Sequence, residues 1–143
     1  MNKISFKNHG VVSGWKKDKK FVDLAKKIFL IEGYEFRSLT FILTSDEELL
    51  KLNKEFLGHD TFTDILTFSL NAKFSGIISE IFISVERVRE NADIFKQSFD
   101  IELRRVMIHG ILHLCGYQDI SKKSKKNMSA REDFYLDLYQ ASL

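Results

Sequence analysis

Between Asp100 and Cys115 the chain can form a helix that is apolar around most of its circumference. Leu103, Met107, Ile108, Ile111, Leu112 and Leu114 cover most of that surface. Glu102, Arg105, His109 and His113 fall on one polar stripe, at helical spacings of three and four residues. A helix with so wide an apolar surface has to be enclosed by the rest of the protein. The fold is therefore expected to be built around this segment, with its two histidines facing a cleft or a partner. Asp100 reads as the cap, and Gly116 as the residue that ends the helix by adopting the left-handed conformation.

The remaining segments supply what encloses it. Ile4–Phe6 reads as a short strand and residues 8–14 as a loop. Trp15 to Glu32 carries Phe21, Leu24, Ala25, Ile28 and Phe29 at helical spacing and stops at Gly33. Leu39–Leu43 reads as a strand. The run from Thr44 to Glu48 starts a helix, a hydroxyl cap followed by acids where the helix dipole favours them, and that helix ends near Gly58. Asp64–Leu70 and Ile77–Val85 read as strands paired in a hairpin through the turn at 71–76. Glu86–Gln97 and Ser121 to about Leu138 read as further helices. About four strands and five helices predict one α+β (mixed α/β) fold, a single sheet layer packed with helices. The predicted organisation is one domain over residues 1–143.

Composition narrows the class. The 143 residues are 44% hydrophobic and 29% charged, as in ordinary soluble proteins. Cys115 is the single cysteine, so no intrachain disulfide forms, which suits a reducing compartment. The N-terminal residues do not resemble a signal peptide, and there is no apolar run of membrane-spanning length, so the expected location is cytoplasmic with no membrane partner. Net charge is only +2, yet Lys16, Lys17, Lys19 and Lys20 cluster near one end, and Lys122, Lys123, Lys125 and Lys126 near the other. Such clusters serve either as solvated helix faces or as electrostatic contacts to phosphates.

The chemistry concentrates in residues 109–119. His109 and His113, four apart, can aim both imidazoles at one point, and a chain reversal at Gly116 can return Asp119 over them. Two imidazoles and a carboxylate make three protein ligands for a metal, which leaves a position for water in the catalytic rather than the structural pattern. Paired histidines on a helix also occur as ordinary hydrogen-bonded polar residues. A zinc protease of the H-E-x-x-H kind is disfavoured, because Gly110 stands where its general base would be.

Residues 109–117 match every fixed position of H-G-x-L-H-L-x-G-Y-D-H, and on these residues the chain resembles the YbeY family of ribosomal RNA maturation factors and endoribonucleases. Leu52-Asn53 and Thr63–Phe68 are similar to the family's L-N and T-D-V-L-S-F blocks, and Ser79-Glu80-Ile81 to its G-D-I strand. The similarity runs from about residue 40 to the end. It implies one divalent metal, zinc foremost, held by His109, His113 and Asp119. It also implies hydrolysis of single-stranded RNA, with ribosomal RNA precursor and the small ribosomal subunit as partners in maturation and quality control. Asp64 and Glu80 become the catalytic candidates, and Asn53, Arg105, Lys122 and Lys123 the RNA-binding ones. Three departures stand out. Asp119 replaces the third histidine of the pattern, Leu57 occupies a position where the family often has arginine, and Ser79-Glu80 replaces Gly-Asp. A two-histidine, one-carboxylate set also suits iron(II).

Several of these residues have plainer readings. Asp64 can cap a strand, Asn53 can be a surface amide, and Arg105 can pair with Glu102 along the helix. Cys115 reads as a small buried residue, and Tyr117 as a packing residue that could also stack on a base. His59 reads as an exposed loop residue. The rival functions are a ribosome-associated binding protein with a structural metal, and a metal-dependent hydrolase of another phosphoester or a peptide.

Overall fold

Alternation along Ile77–Ser84 sorts Ser79, Ile81 and Ile83 to one face of a sheet, where they are buried, and Glu80 and Phe82 to the other. A computed structural model describes residues 2–58, 63–70 and 76–141 of the chain. In order they form β1 (Lys3–Asn8), α1 (Lys19–Glu32), β2 (Phe36–Thr44), α2 (Asp46–Leu57), β3 (Ile65–Ser69), β4 (Ile77–Ser84), α3 (Val85–Ile94), α4 (Phe99–Leu114) and α5 (Lys122–Ala141). The strands form one sheet in the order β1-β2-β4-β3. β1 and β2 pair in parallel, as do β2 and β4, while β3 pairs antiparallel with β4, as a hairpin requires. The turn assigned to 71–76 lies outside the described residues except for Gly76. The architecture is α+β, as the pattern of segments predicts.

The main core lies on the face of Leu39, Phe41, Leu43, Ile81 and Ile83, against Phe21, Ile28 and Phe29 of α1 and Leu103, Met107, Ile108, Ile111 and Leu112 of α4. α4 is the enclosed helix that its composition demands. At Gly110 it presses on the sheet: a Cβ there would lie 2.8 Å from Ile65 Cδ1 and 2.9 Å from Ile81 Cδ1. Leu52 and Phe56 of α2 meet the opposite face, with Phe68, Glu80 and Phe82.

Boundaries differ from the sequence reading where a side chain other than the expected one caps the helix. α1 begins at Lys19, not Trp15, because Asp18 accepts from the Lys20 amide at 3.0 Å. Trp15 instead packs on Phe6, ring centroids 4.8 Å apart. Ser98, not Asp100, caps α4, its hydroxyl accepting from the Ile101 amide at 3.1 Å, and Asp100 sits in the first turn. α5 continues to Ala141 because Tyr139 is buried, its hydroxyl donating to Asp18 beside α1. Among the described residues no helix is long and apolar enough to cross a membrane.

Candidate metal centre

α4 carries His109 and His113 one turn apart, their rings edge to face with centroids separated by 4.5 Å. The helix ends at Leu114 with Cys115 as its C-cap, and Gly116 (φ +92°) reverses the chain. Its amide donates to the His113 carbonyl, and the Tyr117 amide donates to the Leu112 carbonyl, each at 3.0 Å. That reversal brings Asp119 Oδ2 to 3.2 Å from His109 Nε2 and 3.6 Å from His113 Nε2, while the two Nε2 atoms are 2.9 Å apart. One ligand atom from each of the three residues lies within 4.8 Å of the others, so the trio can hold a metal ion.

The protons on the histidines follow from their other partners. His113 Nδ1 is 2.9 Å from the Tyr117 carbonyl, which can only accept, so Nδ1 carries the proton. His109 Nδ1 donates to the Glu132 carboxylate at 2.5 Å. In the neutral imidazoles each Nε2 then presents a lone pair. Two nitrogen lone pairs and a carboxylate oxygen converge on one point, an arrangement that repels unless a cation or a shared proton sits between them. The donor set therefore fits a divalent ion. The side chains of His109, His113 and Asp119 are 22%, 27% and 40% exposed, so the point is open to solvent on one side.

Negative charge surrounds the pair. Burial opposes a charge on His109, but the Glu132 hydrogen bond and the carboxylates of Glu132, Asp119 and Asp64 outweigh it and raise its pKa. Burial raises Asp64, partly offset by His109, and Glu132 and Asp119 push it up further. Glu102, buried in the same stripe, is raised chiefly by burial. Burial pushes the Cys115 thiol up to about 12, which suits a packing role rather than a thiolate ligand.

The other sequence candidates are scattered. Asp64 stands immediately before β3, near enough to His109 for their charges to act on each other. Glu80 does not join the cluster. Strand alternation puts it on the α2 face, beside Phe56, Phe68 and Phe82, with the sheet between it and α4. Asn53 is 3% exposed, so its amide is not presented to solvent. Arg105 is committed across to α5, reaching Glu132 at 3.1 Å and Asp133 at 2.7 Å, and not to Glu102 along its own helix. Lys122 and Lys123 open α5, exposed, just beyond Asp119. At the other end of α5 Lys20 covers the Tyr139 ring at 4.1 Å, and Lys16, Lys17 and Lys19 stand just before it in the chain. Leu57 is exposed at the end of α2, and His59 lies outside the described residues.

Sequence reasoning missed Glu132. The signal is its spacing: Met128, Glu132, Tyr135 and Tyr139 form the buried face of α5, so an acid stands where the pattern calls for an apolar residue.

Comparison with known proteins gives a consistent assignment. The family described as Endoribonuclease YbeY matches residues 12–140. A relative named Endoribonuclease YbeY from Flavobacterium psychrophilum is 40% identical over 138 residues, covering 95% of this chain and 96% of its own. Another of that name from Phocaeicola vulgatus is 38% identical over 135 residues, covering 94% and 97%. A solution structure of a Thermotoga maritima protein superposes with a TM-score of 0.60 at 32% identity, covering 98% of this chain and 91% of that one.

Proposed function

The chain belongs to the YbeY endoribonuclease family, and from that premise we propose that it is a zinc-dependent endoribonuclease that cleaves single-stranded RNA. Its substrate in this reading is ribosomal RNA precursor, met in the cytoplasm in association with the small ribosomal subunit during maturation and quality control. One observation carries the reading: three lone pairs, from His109, His113 and Asp119, converge at the open end of a buried helix.

His109, His113 and Asp119 would hold the ion, and with only three protein ligands a position stays free for water, which favours catalysis over a structural site. When bound, the ion supplies a Lewis acid that lowers the pKa of a water and offsets charge developing on the phosphoryl oxygens. Glu132 and the Tyr117 carbonyl fix the tautomer and direction of the two imidazoles, as partners of ligating histidines commonly do. Arg105 keeps Glu132 in place and is not itself free to clamp phosphate. Asp64 is the catalytic carboxylate proposed for moving a proton, since it is near enough to His109 for their charges to interact, and burial raises its pKa. Lys122 and Lys123, exposed at the start of α5 soon after Asp119, would meet the RNA backbone.

The test joins metal content to cleavage. Wild-type protein is expected to carry near one zinc per chain, lost in Asp119→Ala, and a folded His113→Ala variant is expected to cut no RNA. Full activity in His113→Ala would sink the proposal. Unfolding on chelation, with ribosome binding and no turnover, would favour the binding-protein reading.

A further inference from the structure

We infer that Glu32, acting through Tyr117, is a positioning residue for the metal centre: it anchors the turn that orients His113 and carries Asp119. The inference rests on the metal-centre reading above and adds a residue far from it in sequence.

Asp119 belongs to no helix or strand. Residues 117–119 cross irregularly from α4 to α5, so the position of the third ligand cannot come from a regular ladder of hydrogen bonds. It has to come from whatever fixes the turn, and Tyr117 is fixed at three points. Its amide donates to the Leu112 carbonyl at 3.0 Å, and its carbonyl accepts from His113 Nδ1 at 2.9 Å. Its hydroxyl donates to Glu32 Oε1 at 2.8 Å. The first two contacts tie the turn to α4 alone. The third ties it to the rest of the molecule.

Glu32 is suited to that work. It is the last residue of α1, and its side chain is 9% exposed. The other carboxylate oxygen accepts from the Tyr135 hydroxyl and from Arg131 Nε at 2.9 Å, with the charge of Arg131 Nη2 also 2.9 Å away. One carboxylate therefore binds the end of α1, the ligand-bearing turn and the middle of α5 together. Tyr34, just past the end of α1, also abuts the turn, its hydroxyl 3.2 Å from where a Cβ on Gly116 would lie. A buried anion with several charged and hydroxyl donors is held stiffly. Through Tyr117 that stiffness reaches both the tautomer of His113 and the placement of Asp119. Outer-shell partners of metal ligands commonly matter by about 10- to 100-fold in metal affinity.

The test uses the full chain, stripped of metal and titrated with cobalt(II) as a spectroscopic substitute. Tyr117→Phe removes only the hydroxyl and leaves the carbonyl that meets His113. It is expected to weaken cobalt binding several-fold, up to about 10-fold, and to alter the visible absorption that reports coordination geometry. Glu32→Gln should move both readouts the same way, and the double variant should fall little below Tyr117→Phe, because both act through one bond. Tyr135→Phe removes one donor from the same carboxylate but keeps the bond to Tyr117, so it should lower melting temperature and shift the cobalt spectrum clearly less than Tyr117→Phe does. Unchanged affinity and spectrum in folded Tyr117→Phe or Glu32→Gln overturns the inference and leaves the metal centre standing. So does a Tyr135→Phe spectrum shifted as much as that of Tyr117→Phe. Wild-type protein that takes up no cobalt overturns the metal-centre reading and this inference with it.

Discussion

Burying a carboxylate is unfavourable unless donors surround it, and Glu132, 6% exposed, has Arg105 on one oxygen and His109 on the other. Glu132→Gln keeps the shape but gives up the charge that steadies His109. Metal affinity is expected to fall about 10- to 100-fold, as measured by competition with a chromogenic chelator; affinity equal to wild type would show that Glu132 merely fills space. Glu32 makes a prediction about pH. Burial works against its charge, but the hydrogen bonds from Tyr135, Tyr117 and Arg131, with the Arg131 charge, outweigh it and hold its pKa below the usual glutamate value of 4.5. A carboxyl depressed by folding contributes stability that is present above its unfolded pKa and lost as pH falls through its folded pKa. Wild-type unfolding midpoints in urea should therefore drop as pH is lowered below about 4.5, and Glu32→Gln should remove part of that drop. An identical acid slope in the two proteins would count against the network. The grouping of His109, His113 and Asp119 was legible in the sequence because the three share one short segment. Glu132 and Glu32 were not, because each meets its partners only across packed helices, although both stand on the apolar stripe of their own helix.

At the scale of elements, α4 was the most readable part of the chain: an apolar surface that wide fits only the middle of a fold. The β3–β4 pairing was readable too, since two adjacent strands joined by a short connection form a hairpin. The start of α4 was not, because Ser98 and Asp100 are both good caps, and the choice depends on which side chain meets the free amides. What the sequence could not reveal is how α4 touches the sheet. Gly110 is a glycine in mid-helix, and its lack of a side chain lets the helix backbone approach Ile65 and Ile81. Gly110→Ala is expected to cost about 1–3 kcal/mol by overpacking, beyond the roughly 1 kcal/mol that alanine's helix preference returns. Adding Ile65→Val and Ile81→Val deletes the two terminal methyls that an alanine would meet. The triple variant should then be more stable than the separate changes sum to, by about 1 kcal/mol in a denaturant titration. Strict additivity would mean that the packing at Gly110 is not tight.

At the scale of the whole molecule, local pattern carries least. Period-two alternation assigned Glu80 to a face but could not say which face looks toward the histidines, because that depends on where α2 and α4 dock. The same holds for the lysine clusters. Sequence shows only two lysine clusters near the two ends of the chain, while the fold sets them toward opposite ends of α5, whose 20 residues span about 30 Å. On the proposed reading, a short RNA seated at His109 and His113 would reach Lys122 and Lys123, three and four residues past Asp119, but not Lys16 and Lys17. Net charge of +2 gives the molecule no strong overall field that would mask the difference. In a His113→Ala background, expected to prevent cleavage, binding of a labelled single-stranded oligonucleotide should weaken with salt in proportion to the phosphates bound. Replacing Lys122 and Lys123 with glutamine should flatten the slope of log affinity against log salt by about 0.7 for each phosphate left without its lysine, or about 1.4 for the pair. Replacing Lys16 and Lys17 in the same way should leave the slope unchanged for an oligonucleotide shorter than α5, and lower it only when the RNA is long enough to span the helix. Equal effects from both pairs with the short RNA would mean that the backbone does not run past Asp119, and that the RNA path must be sought elsewhere on the surface.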